Sequence, residues 1–164
     1  MFKYLTLFSV TVTTLVQAYK DTTLSFHDIV YNYGYDMEEH FVTTKDGYVL
    51  KVFRIPGKMG DDPTDKPPVF LQHGICDSAD SFVVREGQSP AFTLSNAGYD
   101  IWLGNSRGNK YSRAHNFFLP SDAAFWQYGF EEMGDYDIPA VIDYIIENTE
   151  FEKVAFVGHS MGST

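Results

Sequence analysis

The sequence predicts an α/β fold in which an antiparallel hairpin leads into parallel strands with flanking helices. Three observations support this: an early hairpin pattern, apolar runs that alternate with helical periodicity from about residue 69, and a Gly-x-Ser-x-Gly motif after the last run. Strands that alternate with helical segments pair in parallel. With 44% hydrophobic and 16% aromatic residues, the 164-residue chain can build a packed core.

The hairpin is predicted from residues 41–44 and 48–55, which are rich in β-branched and aromatic side chains. Lys45-Asp46-Gly47 separates the two runs, and an Asp-Gly pair favours a tight turn because glycine accepts positive φ. Residues 56–68 contain four prolines and two glycines. They are predicted to form a surface loop.

The α/β part is predicted from five segments: strands at residues 69–72, 99–103 and 154–157, and helices at 90–97 and 137–148. The second helix follows from Ile138, Val141, Ile142 and Ile145 at helical spacing, with Asp137 able to cap it. The apolar run 154–157 predicts a strand that is buried on both faces. The aromatic stretch 104–135 predicts only a short helix near residues 121–128.

The motif Gly158-x-Ser160-x-Gly162 directly follows the last predicted strand, which is the arrangement of the nucleophile elbow in α/β-hydrolases. A serine nucleophile needs a histidine base and a carboxylate, which follow the serine in the chain order of this fold. Only four residues follow Ser160, and none is acidic or histidine. Both partners are therefore expected outside this sequence.

Two other interpretations of the motif remain. In one, His73 is the base and an upstream aspartate orients it, in the chain order of chymotrypsin-like proteases. Those enzymes are antiparallel barrels, whereas this serine ends a strand of a predicted parallel sheet, so the structural context of the serine argues against this interpretation. In the other, the motif is accidental.

An oxyanion hole is predicted from two backbone N–H groups. Met161 follows the serine, and the loop after strand 69–72 begins His73-Gly74-Ile75. The expected donors are the N–H groups of Ile75 and Met161, because Gly74 lets the backbone turn toward the site. His73 is predicted to hold this loop through a hydrogen bond.

Several motifs together resemble the acid lipase family, the group that includes gastric and lysosomal lipases. They are TTKDGYVL at residues 43–50, FLQHG at 70–74, AGYDIWLGNSRGN at 97–109, SR at 112–113 with His115, FEEM at 130–133, YDIPA at 136–140 and VGHSMG at 157–162. The resemblance runs from about residue 27 to 164.

The resemblance implies an α/β-hydrolase that cleaves carboxylic esters of triglycerides or cholesterol. It implies Ser160 as nucleophile and Ile75 and Met161 as oxyanion donors, at positions where the family usually has Leu and Gln. It also implies that further strands, a cap and the remaining triad residues lie beyond residue 164, so residues 19–164 are expected to be the N-terminal part of the domain. Arg113 and the turn at 104–109 are expected to bond to acids such as Glu131 or Asp135.

The first residues predict a signal peptide at 1–18. Lys3 precedes an uncharged apolar run at 4–16, and Val16-Gln17-Ala18 offers small residues at the positions a signal peptidase reads. This pattern indicates the secretory pathway, with an extracellular or lysosomal destination. A buried N-terminal helix is the alternative interpretation.

The net charge of −10, from 12 basic and 22 acidic residues, argues against nucleic acid as a partner. The expected partner is a lipid ester substrate, and the complete enzyme is expected to contact a lipid interface transiently. No cofactor, metal or stable protein partner is predicted. The single cysteine, Cys76, is expected to be a small buried side chain. The alternative function is a non-catalytic secreted fragment that binds lipid or a partner without turnover.

Overall fold

The computed structural model describes residues 23–164, and the predicted signal peptide lies outside the described residues. The four α-helices of this part are α1 (Phe26–Asn32), α2 (Pro90–Asn96), α3 (Phe130–Glu132) and α4 (Ile138–Glu147). Its six strands are β1 (Glu38–Thr43), β2 (Tyr48–Ile55), β3 (Pro68–Gln72), β4 (Asp100–Leu103), β5 (Ala114–His115) and β6 (Ala155–Gly158).

The strands form one mixed sheet in the order β1-β2-β4-β3-β6, with β5 paired to the start of β2. The β1–β2 and β2–β4 pairs are antiparallel, whereas β3 pairs in parallel with both β4 and β6. Gly47 has a φ of 101° at the turn between β1 and β2, as the Asp-Gly signal requires. The predicted fold class, an antiparallel hairpin followed by parallel strands with flanking helices, is confirmed.

Helices cover both faces of the sheet, so alternate residues of one strand enter different cores. In β4, Ile101 and Leu103 pack in the cluster that contains α1 and α2, whereas Trp102 packs in the cluster under α4. In β3, Leu71 packs in the cluster with α1 and α2, and Phe70 packs in the cluster under α4. This explains why both strands are apolar at successive positions rather than at alternate ones.

The start of the second predicted helix differs from the prediction. A π-helical turn, Met133–Asp137, joins α3 to α4, and Asp137 has helical dihedral angles of −70° and −52°. Asp137 therefore does not cap α4, and its carboxylate binds Arg107 instead. The short helix expected near residues 121–128 is a 3-10 turn at Ala123–Trp126.

The prediction that the last strand is buried on both faces is wrong for the described residues. Phe156 and Val157 of β6 are 42% and 46% exposed. The reason is that β6 pairs with β3 on one side and is the last strand of the described sheet. None of the described helices is long and apolar enough to cross a membrane.

Candidate active site

Ser160 lies where β6 gives way to a 3-10 turn, Ser160–Ser163. Its φ of 54° is in the left-handed region, which serine rarely adopts and which marks stored backbone strain. The two glycines of the motif make room for this turn. A Cβ at Gly162 would lie 2.5 Å from the carbonyl oxygen of Gln72, and one at Gly158 would collide with the Gly162 carbonyl.

The turn at Ser160 packs directly against the loop that follows β3. The N–H of His159 donates to the carbonyl oxygen of Gln72 at 2.9 Å. A Cβ at Gly74 would lie 3.0 Å from the Cβ of Ser160, so a larger residue would push the loop away from the serine. Ile75 and Met161 line the same pocket of about 400 Å³ beside this contact.

His73 holds this loop through both ring nitrogens, which defines its tautomer. Its Nε2 accepts from the N–H of Ser106 at 3.1 Å, so the proton lies on Nδ1, which donates to the carbonyl of Gly74 at 2.7 Å. Burial lowers the pKa of His73, outweighing the hydrogen bond to Gly74 and the charges of Asp77 and Asp80. A neutral ring with both nitrogens engaged fits the predicted structural role.

All five histidines of the chain lie within the described residues. His40 contacts Tyr144 and Glu38, and His115 contacts the backbone of Asp46 and of residues 117 and 118. Within residues 23–164, no hydrogen bond joins a histidine ring to the Ser160 hydroxyl. The described part therefore presents the serine and its neighbouring loop without a base in contact.

The turn after β4 contributes contacts that the sequence did not reveal. The side-chain amide of Gln72 donates to the Ser106 hydroxyl at 2.9 Å, and Asn109 contacts Nε2 of His73 at 3.2 Å. The turn thus braces the loop beside Ser160. The sequence signal for this turn is a run of polar residues, Asn105 to Arg107, immediately after an apolar strand. The structure shows that these residues are buried, and buried polar groups need hydrogen-bond partners.

Arg107 is fully buried and binds two carboxylates. Its guanidinium contacts Asp137 at 2.7 Å and Asp46 at 2.5 Å, and it lies over the Tyr48 ring at 4.0 Å. Burial alone would raise the pKa of Asp46, but hydrogen bonds from Arg107 and Thr44 outweigh it and lower that pKa. The three segments that carry Arg107, Asp46 and Asp137 are therefore held together by charge.

The expectation that the arginines bond to Glu131 or Asp135 is wrong. Both acids are exposed, and a buried guanidinium is stabilised by carboxylates that face the same interior. Arg113 instead lies over the Trp126 ring at 5.0 Å.

Cys76 also differs from expectation, since its side chain is exposed and lines the pocket beside Ile75. The chain turns sharply here, with a φ of 59° at Cys76, and so leaves the interior. Among the described residues, no group of three or more His, Cys, Asp or Glu side chains could hold a metal ion.

Comparison with known families agrees with this geometry. Residues 67–164 match the alpha/beta hydrolase fold, and residues 26–86 match the partial alpha/beta-hydrolase lipase region. The chain belongs to the α/β-hydrolase family. An esterase of Pyrococcus furiosus, 18% identical, superposes with a TM-score of 0.58 over 82% of this chain and 43% of its own, which supports the fold.

The individual relatives that match most of the chain include acid lipases. It is 44% identical to gastric triacylglycerol lipase of Mus musculus, covering 88% of this chain and 37% of the relative. It is 42% identical to lysosomal acid lipase/cholesteryl ester hydrolase of Homo sapiens over the same shares, and 45% identical to Lipase 1 of Drosophila melanogaster, covering 88% and 32%. The predicted resemblance to acid lipases is confirmed. The chain spans about a third of the length of these relatives.

Proposed function

We propose that the protein is a serine ester hydrolase in which Ser160 is the nucleophile and the N–H groups of Ile75 and Met161 are the oxyanion donors. The observation that best supports this role is the left-handed backbone of Ser160 at the end of β6, packed against Gly74. Strain of this kind is characteristic of a nucleophile elbow, because it exposes the hydroxyl above the ends of the strands.

The proposed reaction has two steps. The Ser160 oxygen attacks the ester carbonyl while its proton passes to a histidine, and the negative charge on the carbonyl oxygen is stabilised by the two N–H groups. The C–O bond breaks, the alcohol leaves with that proton, and an acyl-enzyme remains. Water then attacks the acyl group, which releases a carboxylic acid and restores Ser160.

The histidine and its carboxylate are proposed to come from outside residues 1–164. In this fold they follow the serine in the chain, and the relatives contain sequence that this chain does not span. This assignment agrees with His73 being engaged at both ring nitrogens.

The proposed substrates are triglycerides or steryl esters. The names of the relatives include a triacylglycerol lipase and a cholesteryl ester hydrolase. The lining of a second cavity of about 340 Å³ beside Met161 includes four apolar side chains and two carboxylates: Phe130, Met133, Ile138, Phe156, Glu131 and Asp135. Apolar side chains at this place suit a hydrocarbon chain better than a polar substrate.

Labelling with a fluorophosphonate probe tests the nucleophile. In the natural protein, Ser160→Ala should abolish labelling and lower ester turnover by several orders of magnitude. Ser163→Ala is the matched control, because Ser163 lies in the same turn and donates to the Ser160 carbonyl at 2.6 Å. Labelling that persists in Ser160→Ala would contradict the assignment. A protein that binds lipid but is never labelled would support the non-catalytic alternative.

The protein is further proposed to enter the secretory pathway and to be extracellular or lysosomal. The predicted signal peptide and the gastric and lysosomal relatives support this. Mass spectrometry of secreted or lumenal material should find an N-terminus near Tyr19. Recovery of an intact Met1 terminus from that material would contradict it.

A further inference from the structure

The loop from His73 to Ala79 carries the candidate oxyanion donor Ile75 and is held at both of its ends. At its start, the ring of His73 donates from Nδ1 to the carbonyl of Gly74 at 2.7 Å. At its end, the N–H of Ala79 donates to Oδ1 of Asn105 at 3.0 Å. Between these two points, the N–H of Ile75 has no hydrogen-bond partner within residues 23–164. An N–H without a partner is available to a ligand.

The carbonyl of Gly74 and the N–H of Ile75 belong to one peptide unit. This unit is planar and trans, so its carbonyl and its N–H point in opposite directions. A hydrogen bond that fixes the direction of the Gly74 carbonyl therefore also fixes the direction of the Ile75 N–H. The ring of His73 makes that bond when its proton lies on Nδ1. The tautomer of His73 thus determines where the candidate donor points.

Two N–H donors contact the other ring nitrogen of His73. The N–H of Ser106 donates to Nε2 at 3.1 Å, and the side-chain amide of Asn109 lies 3.2 Å from the same atom. A ring nitrogen that accepts a hydrogen bond is unprotonated, so both contacts place the proton of the neutral ring on Nδ1. Ser106 contributes through its backbone, whereas Asn109 contributes through its side chain and can be substituted.

The amide of Asn109 is itself oriented by its neighbours. Its Oδ1 accepts from the N–H groups of Tyr111 and Ser112 at 2.9 and 3.0 Å. Its Nδ2 therefore faces His73, and it also donates to Oδ1 of Asn105 at 2.9 Å. Rotating the amide by half a turn would break all of these bonds, so the hydrogen-bond network defines a donor at Nε2 of His73.

Asn105 completes the link between the two ends of the loop. Its Oδ1 accepts from both Asn109 and Ala79, and its own amide donates to the carbonyl of Lys51 in β2 at 3.0 Å. Asn105 is buried, so breaking one of these bonds would leave a polar group without water to replace its partner. The pair of asparagines thus connects His73, the end of the loop and the sheet.

We propose that Asn109 is a positioning residue for ester hydrolysis, acting through His73 on the N–H of Ile75. Asn109 holds the Nδ1–H tautomer, and that tautomer holds the Gly74 carbonyl. The planar peptide then presents the Ile75 N–H to the negative oxygen that develops on the ester carbonyl. This role rests on the proposed function of Ser160. It requires a donor at Nδ2 of Asn109, whereas a purely architectural role requires only that the fold is kept.

Asn109→Asp in the natural protein tests this role. The carboxylate keeps an acceptor for the two backbone N–H groups but replaces the donor that faces His73, and it favours a proton on Nε2. We expect kcat on a soluble short-chain ester to fall about tenfold to a hundredfold with KM unchanged, because the oxyanion forms only in the transition state. Exhaustive fluorophosphonate labelling counts the active sites, so a loss of folded protein does not lower the measured kcat.

Asn116→Asp is the matched control for the change of charge. It makes the same substitution at an exposed asparagine that follows β5, and its kcat should equal that of the unchanged protein. A normal kcat in Asn109→Asp would overturn the proposal. A raised KM with a normal kcat would also overturn it, because Asn109 would then act on substrate binding rather than on the transition state.

The position of the ring proton is a second test, which requires no variant. Neutron diffraction from crystals of the natural protein should locate a proton on Nδ1 of His73 and none on Nε2. A proton on Nε2 would overturn the proposal even if Ser160 is the nucleophile. Turnover that persists in Ser160→Ala would contradict the proposed function instead. An inactive Ser160→Ala together with a normal kcat in Asn109→Asp would overturn the positioning role alone.

Discussion

Ser160 can keep its left-handed backbone because the residues two positions before and after it, Gly158 and Gly162, have no side chain to obstruct the turn. The Cβ of any other residue at position 162 would lie within 2.6 Å of the carbonyl oxygens of Gln72 and His73. These oxygens belong to the end of β3 and the start of its loop, so they cannot move without displacing the strand. The glycines thus set the distance between the serine and the candidate oxyanion loop.

Gly162→Ala should therefore disturb both stability and labelling. The added methyl group forces the turn away from β3, at a cost of about 2–3 kcal/mol in the free energy of unfolding, as for other overpacked positions. Chemical denaturation measures the loss of stability, and fluorophosphonate labelling of Ser160 measures the reactivity of the serine. Gly87→Ala is the control, because a Cβ there meets nothing within 4 Å. Normal labelling of Gly162→Ala would show that the turn tolerates a larger residue.

At the scale of elements, the turn after β4 connects three parts of the fold. Arg107 binds Asp46 in the β1–β2 hairpin and Asp137 at the start of α4, and the neighbouring Ser106 N–H binds His73. One turn thus orients the hairpin, the helix and the loop beside Ser160. The polar groups involved are buried, so each depends on its partners.

Arg107→Met should lower the free energy of unfolding by about 3–5 kcal/mol, because two carboxylates would remain near the interior without their cation. Chemical denaturation measures this loss. Arg85→Met is the matched control at an exposed position and should have little effect. A loss below about 1 kcal/mol would show that solvent, rather than Arg107, stabilises Asp46 and Asp137.

At the scale of the whole molecule, β6 determines how residues 1–164 behave when they are expressed alone. Phe156 and Val157 are exposed at a strand that pairs only with β3 in the described sheet. An unpaired apolar edge favours association between chains.

The isolated 164-residue chain should therefore self-associate. It should not cleave short-chain esters, because no base contacts Ser160 within residues 23–164. Light scattering after size-exclusion chromatography measures self-association, and esterase turnover measures ester cleavage. Val157→Lys should reduce association, whereas Val84→Lys, at a similarly exposed position in a loop, should not. A soluble monomer with Ser160-dependent turnover would contradict the prediction.

Local signals explain which elements could be predicted. The hairpin depends on Asp46-Gly47, α4 on its helical spacing, and the turn at Ser160 on two glycines, and each of these is contained in a few consecutive residues. The partners of Arg107 could not be predicted in this way. Asp46 lies 61 positions away and Asp137 lies 30 positions away, so only the folded chain selects them over the nearby acids.

The sequence by itself determined the fold class, the family resemblance and the position of the candidate nucleophile, because periodicity, turn chemistry and motif spacing are properties of neighbouring residues. Only the tertiary structure decided that Cys76 is exposed, that the turn after β4 holds His73, and that β5 lies at the same end of the sheet as Ser160. Burial and proximity between distant segments depend on how the strands pair, and strand pairing is a property of the whole chain.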